Sequence, residues 1–240
     1  MKILVVGGAG YIGGHLSDLL LRSGHDITVY DNLMFETRYL KDINFIYGDI
    51  REKEKLLTIM KDFNIVVWLA AIVGDGACAV DPALTRTINE DSIKWLVDNY
   101  EGKIVFTSTC SVYGIHDHLI DEDAEFNPQS VYASTKLAAE KYIIKNYDNY
   151  LIFRLGTLFG LGDDFSRVRL DLVVNILTTR AMKNEPLTVF GGEQWRPILH
   201  VKDVGEALFY CLENKVTGLF NLSYINVKIY QIAEEIAKVI

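Results

Sequence analysis

The chain has 240 residues, half of them hydrophobic, with 18 glycines, 4 prolines and a formal net charge of −8. That length supports one large domain, or one domain with a smaller appendage, and the composition excludes a low-complexity chain. The acidic balance argues against a general nucleic-acid binder, whose surface must be basic to displace counterions.

In chain order, "KILVVG" is a short apolar run that stops at Gly7 and reads as a buried parallel strand. Apolar positions at helical spacing follow from Tyr11 to Arg22 and close at Gly24. "DITVYD", "NFIYGD", "NIVVWLAA", "GKIVFTST" and "YLIFRLG" repeat the strand theme, separated by helical patterns over 53–61, 84–99 and 131–146. This alternation predicts an α/β fold with a Rossmann-type doubly wound parallel sheet. Beyond Arg154 the regularity loosens. Short strands ("LTVFG", "RPILH", "GLFNLS") alternate with helices over 170–183, 203–213 and 227–240. The division expected is a dinucleotide-binding domain over 1–155 and a smaller lobe over 156–240, interleaved with the first. No stretch reaches the roughly 18 apolar residues of a membrane span, and "MKILVV" is too short for a signal peptide. Three scattered cysteines (Cys78, Cys110, Cys211) suit reduced thiols in a cytoplasmic protein and have no metal spacing.

"GGAGYIGGHL" lies between strand one and helix one, and both Gly8-x-Gly10-x-x-Gly13 and Gly7-x-x-Gly10-x-x-Gly13 fit it. Glycines let the backbone approach a pyrophosphate, and the helix N-terminus adds free N–H groups and partial positive charge. Asp31, eighteen residues after Gly13, ends strand two. A carboxylate there accepts hydrogen bonds from adenosine ribose hydroxyls and repels a 2′-phosphate, which favours NAD over NADP. "SVYASTKLAAE" carries Tyr132 and Lys136, four apart on one helical face. A free tyrosine of pKa about 10 is only ~0.1% phenolate at pH 7. A neighbouring ammonium favours the phenolate, and lowering the pKa by ~3 units takes ~4 kcal/mol of differential stabilisation. Alone, such a pair also fits a solvated helix face; its place after a hydroxyl-rich strand end, "FTSTCSVYG", singles it out.

The glycine motif, Asp31, "GDI" (48–50), "LAA" (69–71), "STCSVYG" and Tyr132/Lys136 stand in an order and spacing that resemble the extended short-chain dehydrogenase/reductase family. The nearest branch is that of the nucleotide-sugar epimerases and dehydratases. The resemblance implies that Tyr132 is the catalytic base, Lys136 its electrostatic and ribose-binding support, and Thr109 the hydroxyl that holds the sugar oxygen. It implies NAD contacts from Gly7, Gly10, Tyr11, Ile12, Gly13, Asp31, Asn32, Asp49, Ile50, Leu69, Ala70, Ala71 and Thr107. Asn89 matches the family's helix Asn and fits an ordinary polar helix position equally well. Sugar dehydratases place an Asp-Glu pair after the catalytic Thr; here Cys110 and Ser111 stand there, which argues against a dehydratase. Cys110 has no adjoining His and reads as an inert thiol.

The segment "RLGTLFGLGDDFSRVRLDLVVN" begins the nucleotide-sugar lobe by the same resemblance. Arg154 and Arg169, with Arg196 of "WRPILHVKDV", are the expected donors to a substrate diphosphate. Thr157 stands where epimerases carry Asn. Arg167 fits a phosphate contact or a solvated loop residue. "IVGDGACAVDP" and "RVRLDLVVN" are expected to face the sugar, and they resemble a subgroup that includes sugar 4-dehydrogenases acting on GDP-heptoses. Members of the family continue further than Ile240, so a minimal lobe and a piece of a longer chain are both open.

The implied activity is NAD-dependent epimerisation at C4 of a nucleotide-activated sugar through a 4-keto intermediate. Two alternatives stay open: a 4-dehydrogenase that releases the keto sugar, and a dinucleotide sensor without catalysis. A homodimer is expected, because Trp95, Leu96, Leu137, Ile143 and Ile144 spread apolar surface beyond one stripe of their helices. No metal, nucleic-acid or membrane partner is expected.

Overall fold

The computed structural model describes residues 1–36 and 38–240. Its first half alternates strands and helices. β1 (Lys2–Val6) leads into α1 (Gly13–Arg22), followed by β2 (Asp26–Asp31), β3 (Asn44–Tyr47), α2 (Lys53–Met60) and β4 (Ile65–Trp68). The short helices α3 (Asp75–Val80) and α4 (Pro82–Arg86) precede α5 (Ser92–Asn99) and β5 (Lys103–Thr109). Then come α6 (Val131–Asn146), β6 (Tyr150–Leu155), β7 (Thr157–Phe159), α7 (Val173–Met182), β8 (Trp195–His200) and α8 (Val201–Glu213). The chain closes with β9 (Gly218–Leu222), β10 (Ile225–Lys228) and α9 (Ile229–Val239).

The large sheet has seven strands in the order β3-β2-β1-β4-β5-β6-β9, all paired in parallel. Both faces are covered, which explains why "ILVV" and "IVVW" are apolar without alternation. Leu4, Val6, Trp68 and Phe106 pack into one core; Ile3, Val5, Val67 and Val105 pack into the other. Burying each large apolar side chain contributes about 1.5–3 kcal/mol. The strand order reverses between β1 and β4, the switch point where such sheets bind ligands.

β9 and α8 belong spatially to the large sheet rather than to the lobe that the sequence assigned to 156–240. β9 pairs with β6, and the Gly205 position of α8 lies against His15 and Leu16 of α1. The lobe itself is the three-stranded sheet β10-β8-β7 with α7 and α9. "LTVFG", expected as a strand, is not one: it joins neither sheet, and Leu187 and Val189 pack against the α7–α9 core instead. The helix expected over 84–99 is helical throughout, from Pro82 to Asn99, and is widened by a π turn over Thr87–Asp91.

Candidate active site

One cavity of about 1370 Å³ runs from Asp31 past the glycine loop to Lys136 and on to Arg196. Among the expected site residues, only Gly13 and Asn89 do not line it. Gly7 needs a positive φ of 80°, and a side chain there would strike the Ala70 backbone. Gly13 lies where a Cβ would collide with Gly8, so it permits close packing of α1 on β1 and stays off the cavity wall. Asn89 is a correction to the expected cofactor set. It is 1% exposed, and its amide clasps the backbone of Ile72, accepting from N–H at 2.9 Å and donating to C=O at 2.8 Å. It shapes the turn after β4 rather than facing a ligand.

Asp31 accepts from the N–H groups of Ala9 (3.1 Å) and Leu33 (2.8 Å) at the cavity's far end, where burial raises its pKa. Asn32 donates to Asp49 at 2.9 Å. The Arg51 guanidinium beside Asp49 holds that carboxyl well below its usual range.

β5 leads into a 3₁₀ turn, Cys110–Tyr113, in which the Thr109 hydroxyl caps the Ser111 N–H. Thr109 Oγ1 accepts from Ser111 N–H at 3.2 Å and lies 3.2 Å from Ser111 Oγ. α6 starts one loop later, capped by Ser130, and brings Tyr132 and Lys136 to the same wall. Burial raises the Tyr132 pKa, while the Thr109 hydroxyl and the Arg169 guanidinium lower it. Burial pushes Lys136 down to about 7, against the pull of Glu140. Its Nζ makes no hydrogen bond among the described residues and rests 4.1 Å from the centroid of the Phe106 ring. Cys110 stands in the wall with its thiol pushed up to about 11 by burial, so no acid follows Thr109.

The arginines divide. Arg154 is a second correction. It is 3% exposed, and its Nε reaches both Glu140 oxygens at 3.1 Å. Its Nη1 donates to Tyr113 Oη and to the Glu122 carbonyl, and its Nη2 to Glu140. All three nitrogens are engaged inside the protein, so Arg154 ties α6, the 3₁₀ turn and β6 together and offers no free fork to a diphosphate. Arg169 pairs with Asp171 at 2.6 Å and lies over the Tyr11 ring at 5.6 Å. Arg196 donates to Gln194 at 3.0 Å, its one hydrogen bond among the described residues, and lines the same cavity as Thr157. Arg167 points the other way, over Phe35. Of "IVGDGACAVDP", Ile72 to Asp75 line the cavity, while Cys78 turns inward and donates to the Ile72 carbonyl at 3.3 Å. The sequence reading missed Glu140. A carboxylate one turn beyond Lys136 on a buried face requires a cation partner, and that was the available signal.

The profile of the NAD dependent epimerase/dehydratase family matches residues 3–223. The chain belongs to that family. It is 33% identical over 230 residues to a putative UDP-glucose 4-epimerase of Methanocaldococcus jannaschii, covering 89% of this chain and 74% of that one. Among solved structures, the UDP-glucuronic acid 4-epimerase of Bacillus cereus, in complex with UDP-glucuronic acid and NAD, superposes with a TM-score of 0.86 at 28% identity. That match covers 100% of this chain and 83% of the other. The UDP-glucose 4-epimerase of Thermus thermophilus in complex with NAD gives 0.84 at 26% identity, over 99% and 83% of the two chains. The family member described here is therefore an NAD-dependent enzyme of the extended short-chain dehydrogenase/reductase type.

The cavity fits that cofactor. The glycine loop, the Asp31 carboxylate and a buried lysine with no hydrogen-bond partner among the described residues line one cavity. Asp31 and Asp49 would hold the adenosine end, residues 69–71 the middle, and Lys136 the nicotinamide ribose.

Proposed function

We propose that the protein epimerises the C4 hydroxyl of a nucleotide-diphosphate sugar through a 4-keto intermediate. The observation that carries this reading is the position of Tyr132 and Thr109. Both line the same cavity as Thr157, Arg169 and Arg196, and the Tyr132 phenol feels the Thr109 hydroxyl and the Arg169 charge. NAD, when bound, supplies a reversible acceptor for two electrons. Tyr132 as phenolate takes the C4 hydroxyl proton and later returns it. Thr109 orients that oxygen. Lys136, once charged, stabilises the phenolate. Arg196 and Arg169 hold the diphosphate, against the protein's own negative charge. Asp-Glu chemistry for dehydration has no counterpart at Cys110 and Ser111. The reading includes a homodimer through α5 and α6 and a cytoplasmic location. The dimer has narrower support than the sequence suggested: Leu96, Leu137 and Ile143 are buried within one chain, Trp95 is half-buried, and only Ile144 is exposed. All three cysteines are free thiols, in keeping with the cytoplasm, and no helix among the described residues is long and apolar enough to cross a membrane.

The test is incubation of the NAD-loaded protein with UDP-, GDP-, CDP- and dTDP-sugars, followed by NMR of the sugar and absorbance of the nicotinamide. A C4 epimer without net NADH is expected. Keto sugar formed with equimolar NADH favours the 4-dehydrogenase instead. Turnover undiminished in Tyr132→Phe would remove the proposed base.

A further inference from the structure

Residues 160–169 form a loop whose two ends are held together by one side chain. Asn175, in the first turn of α7, accepts from Gly160 N–H at 2.9 Å and donates to the carbonyls of Gly160 (3.1 Å) and Arg169 (3.0 Å). Compact loops with stapled ends move or stay as units. This one leaves the lobe and lies across the cofactor-binding half of the protein. Tyr11 Oη donates to the Gly160 carbonyl at 2.6 Å, and His15 Nε2 lies 3.0 Å from the Leu161 carbonyl. The Asp163 carboxylate meets Lys41 Nζ at 2.7 Å, with side-chain exposures of 7% and 8%. Lys41 in turn donates to the Gly14 carbonyl at 2.6 Å. A side chain at Gly14 would run into the Asp163 carboxyl, so the close approach of loop and helix requires glycine there. Phe165 packs edge-on against Tyr39 at 6.0 Å. Farther along, the Arg167 guanidinium sits 4.3 Å from the centroid of Phe35, a residue of the cavity wall next to Met34 and Asn32. Glu36 beside it senses both Asp31 and Arg167, which sets Arg167 at the adenosine end.

We propose that this loop is part of the NAD site: Arg167 and Phe35 close the adenosine end of the cleft, the Lys41–Asp163 pair latches the loop shut, and the bound cofactor is thereby held against exchange. The lobe assigned to the sugar thus also guards the cofactor. The same segment continues into Arg169 and Asp171 on the sugar side. The inference rests on NAD as the cofactor and not on the sugar reaction.

The test loads the protein with unlabelled NAD, adds excess ¹³C-labelled NAD, and follows exchange by mass spectrometry of the washed protein. Wild type is compared with Lys41→Met, Asp163→Asn and Arg167→Ala, and each cofactor-free protein is also melted. Exchange at least tenfold faster in Arg167→Ala, with an unchanged melting midpoint, is the expected result. Asp163→Asn and Lys41→Met should exchange faster still. If the latch variants do not fold, Arg167→Ala carries the test, since this half-buried side chain stacks on an exposed ring. Exchange at the wild-type rate in Arg167→Ala overturns the proposal. Slow, Arg167-dependent exchange without turnover of any sugar would count against the proposed reaction and leave the loop's role standing.

Discussion

The Lys136 ammonium lies 4.1 Å from the Phe106 ring centroid, inside a helix–sheet interface and with 3% of the residue exposed. Burial, the larger effect, pushes its pKa to about 7. The unfolded chain, with a lysine near 10.4, holds the proton more tightly. Between pH 7 and about 10 the unfolded state therefore binds more protons, and stability rises with pH across that window. Lys136→Met should raise the stability of the cofactor-free protein at pH 7 by roughly 2–4 kcal/mol. The lost contact with Phe106, worth about 0.5–2 kcal/mol, offsets only part of this. The same variant should lose turnover. Thermal unfolding without NAD decides it, and a lowered midpoint refutes the account.

Arg154→Ala and Arg196→Ala should fail in different ways. The first leaves Glu140, fully buried, without its cation, at a cost of about 3–5 kcal/mol in stability. The second removes a half-buried guanidinium bonded, among the described residues, to Gln194 alone, so the melting point should hold. Binding of the sugar nucleotide should then weaken roughly ten- to a hundredfold, as for the loss of one charge-assisted hydrogen bond. NAD affinity should barely change. Calorimetry with each ligand separates the two sites, and loss of NAD binding in Arg196→Ala would mean that the arginine serves the wrong ligand.

NAD should bind at least about a hundredfold more tightly than NADP, equivalent to ~2.7 kcal/mol. Asp31 and Glu36 put two carboxylates at the adenosine end, and burial followed by Asp31 pushes Glu36 up to about 6. Glu36 is therefore charged above pH 6 and neutral below it. Discrimination should narrow as pH falls through 6, which titrations with both cofactors at pH 5.5 and 8 will measure. Equal affinities at pH 8 would sink the role of Asp31.

The cofactor half of the site was legible because its signals are local. The glycine loop needs only the strand before it and the helix after it, and Tyr132 and Lys136 share one helix face. Arg154 was misread because its partner lies fourteen residues away, on another element. "YLIFRL" in fact contained the warning: a strand with both faces apolar buries its arginine, and a buried guanidinium needs a carboxylate before it can serve any ligand. Asn89 was open to two readings for the same reason, since its partner, the Ile72 backbone, is set by how the π turn over Thr87–Asp91 meets the segment that follows β4. "LTVFG" has strand composition, but its apolar residues are taken up by the α7–α9 core, and period alone does not reveal that.

The last strand of the large sheet, β9, reaches its neighbour β6 only after β7, α7, β8 and α8 have been threaded between them in sequence. A ribosome delivers the chain in that order. When residue 155 emerges, β6 is an open parallel edge, with Leu151, Phe153 and Leu155 lacking the cover that Leu208, Leu212 and Leu222 later give this face. Such an edge invites pairing with another chain. Nascent chains stopped near residue 160 should bind holdase chaperones and be cut readily within β6, whereas chains that have exposed residue 222 should be protected. The interleaving of lobe and large sheet thus gives the growing polypeptide an interval of vulnerability about sixty residues long.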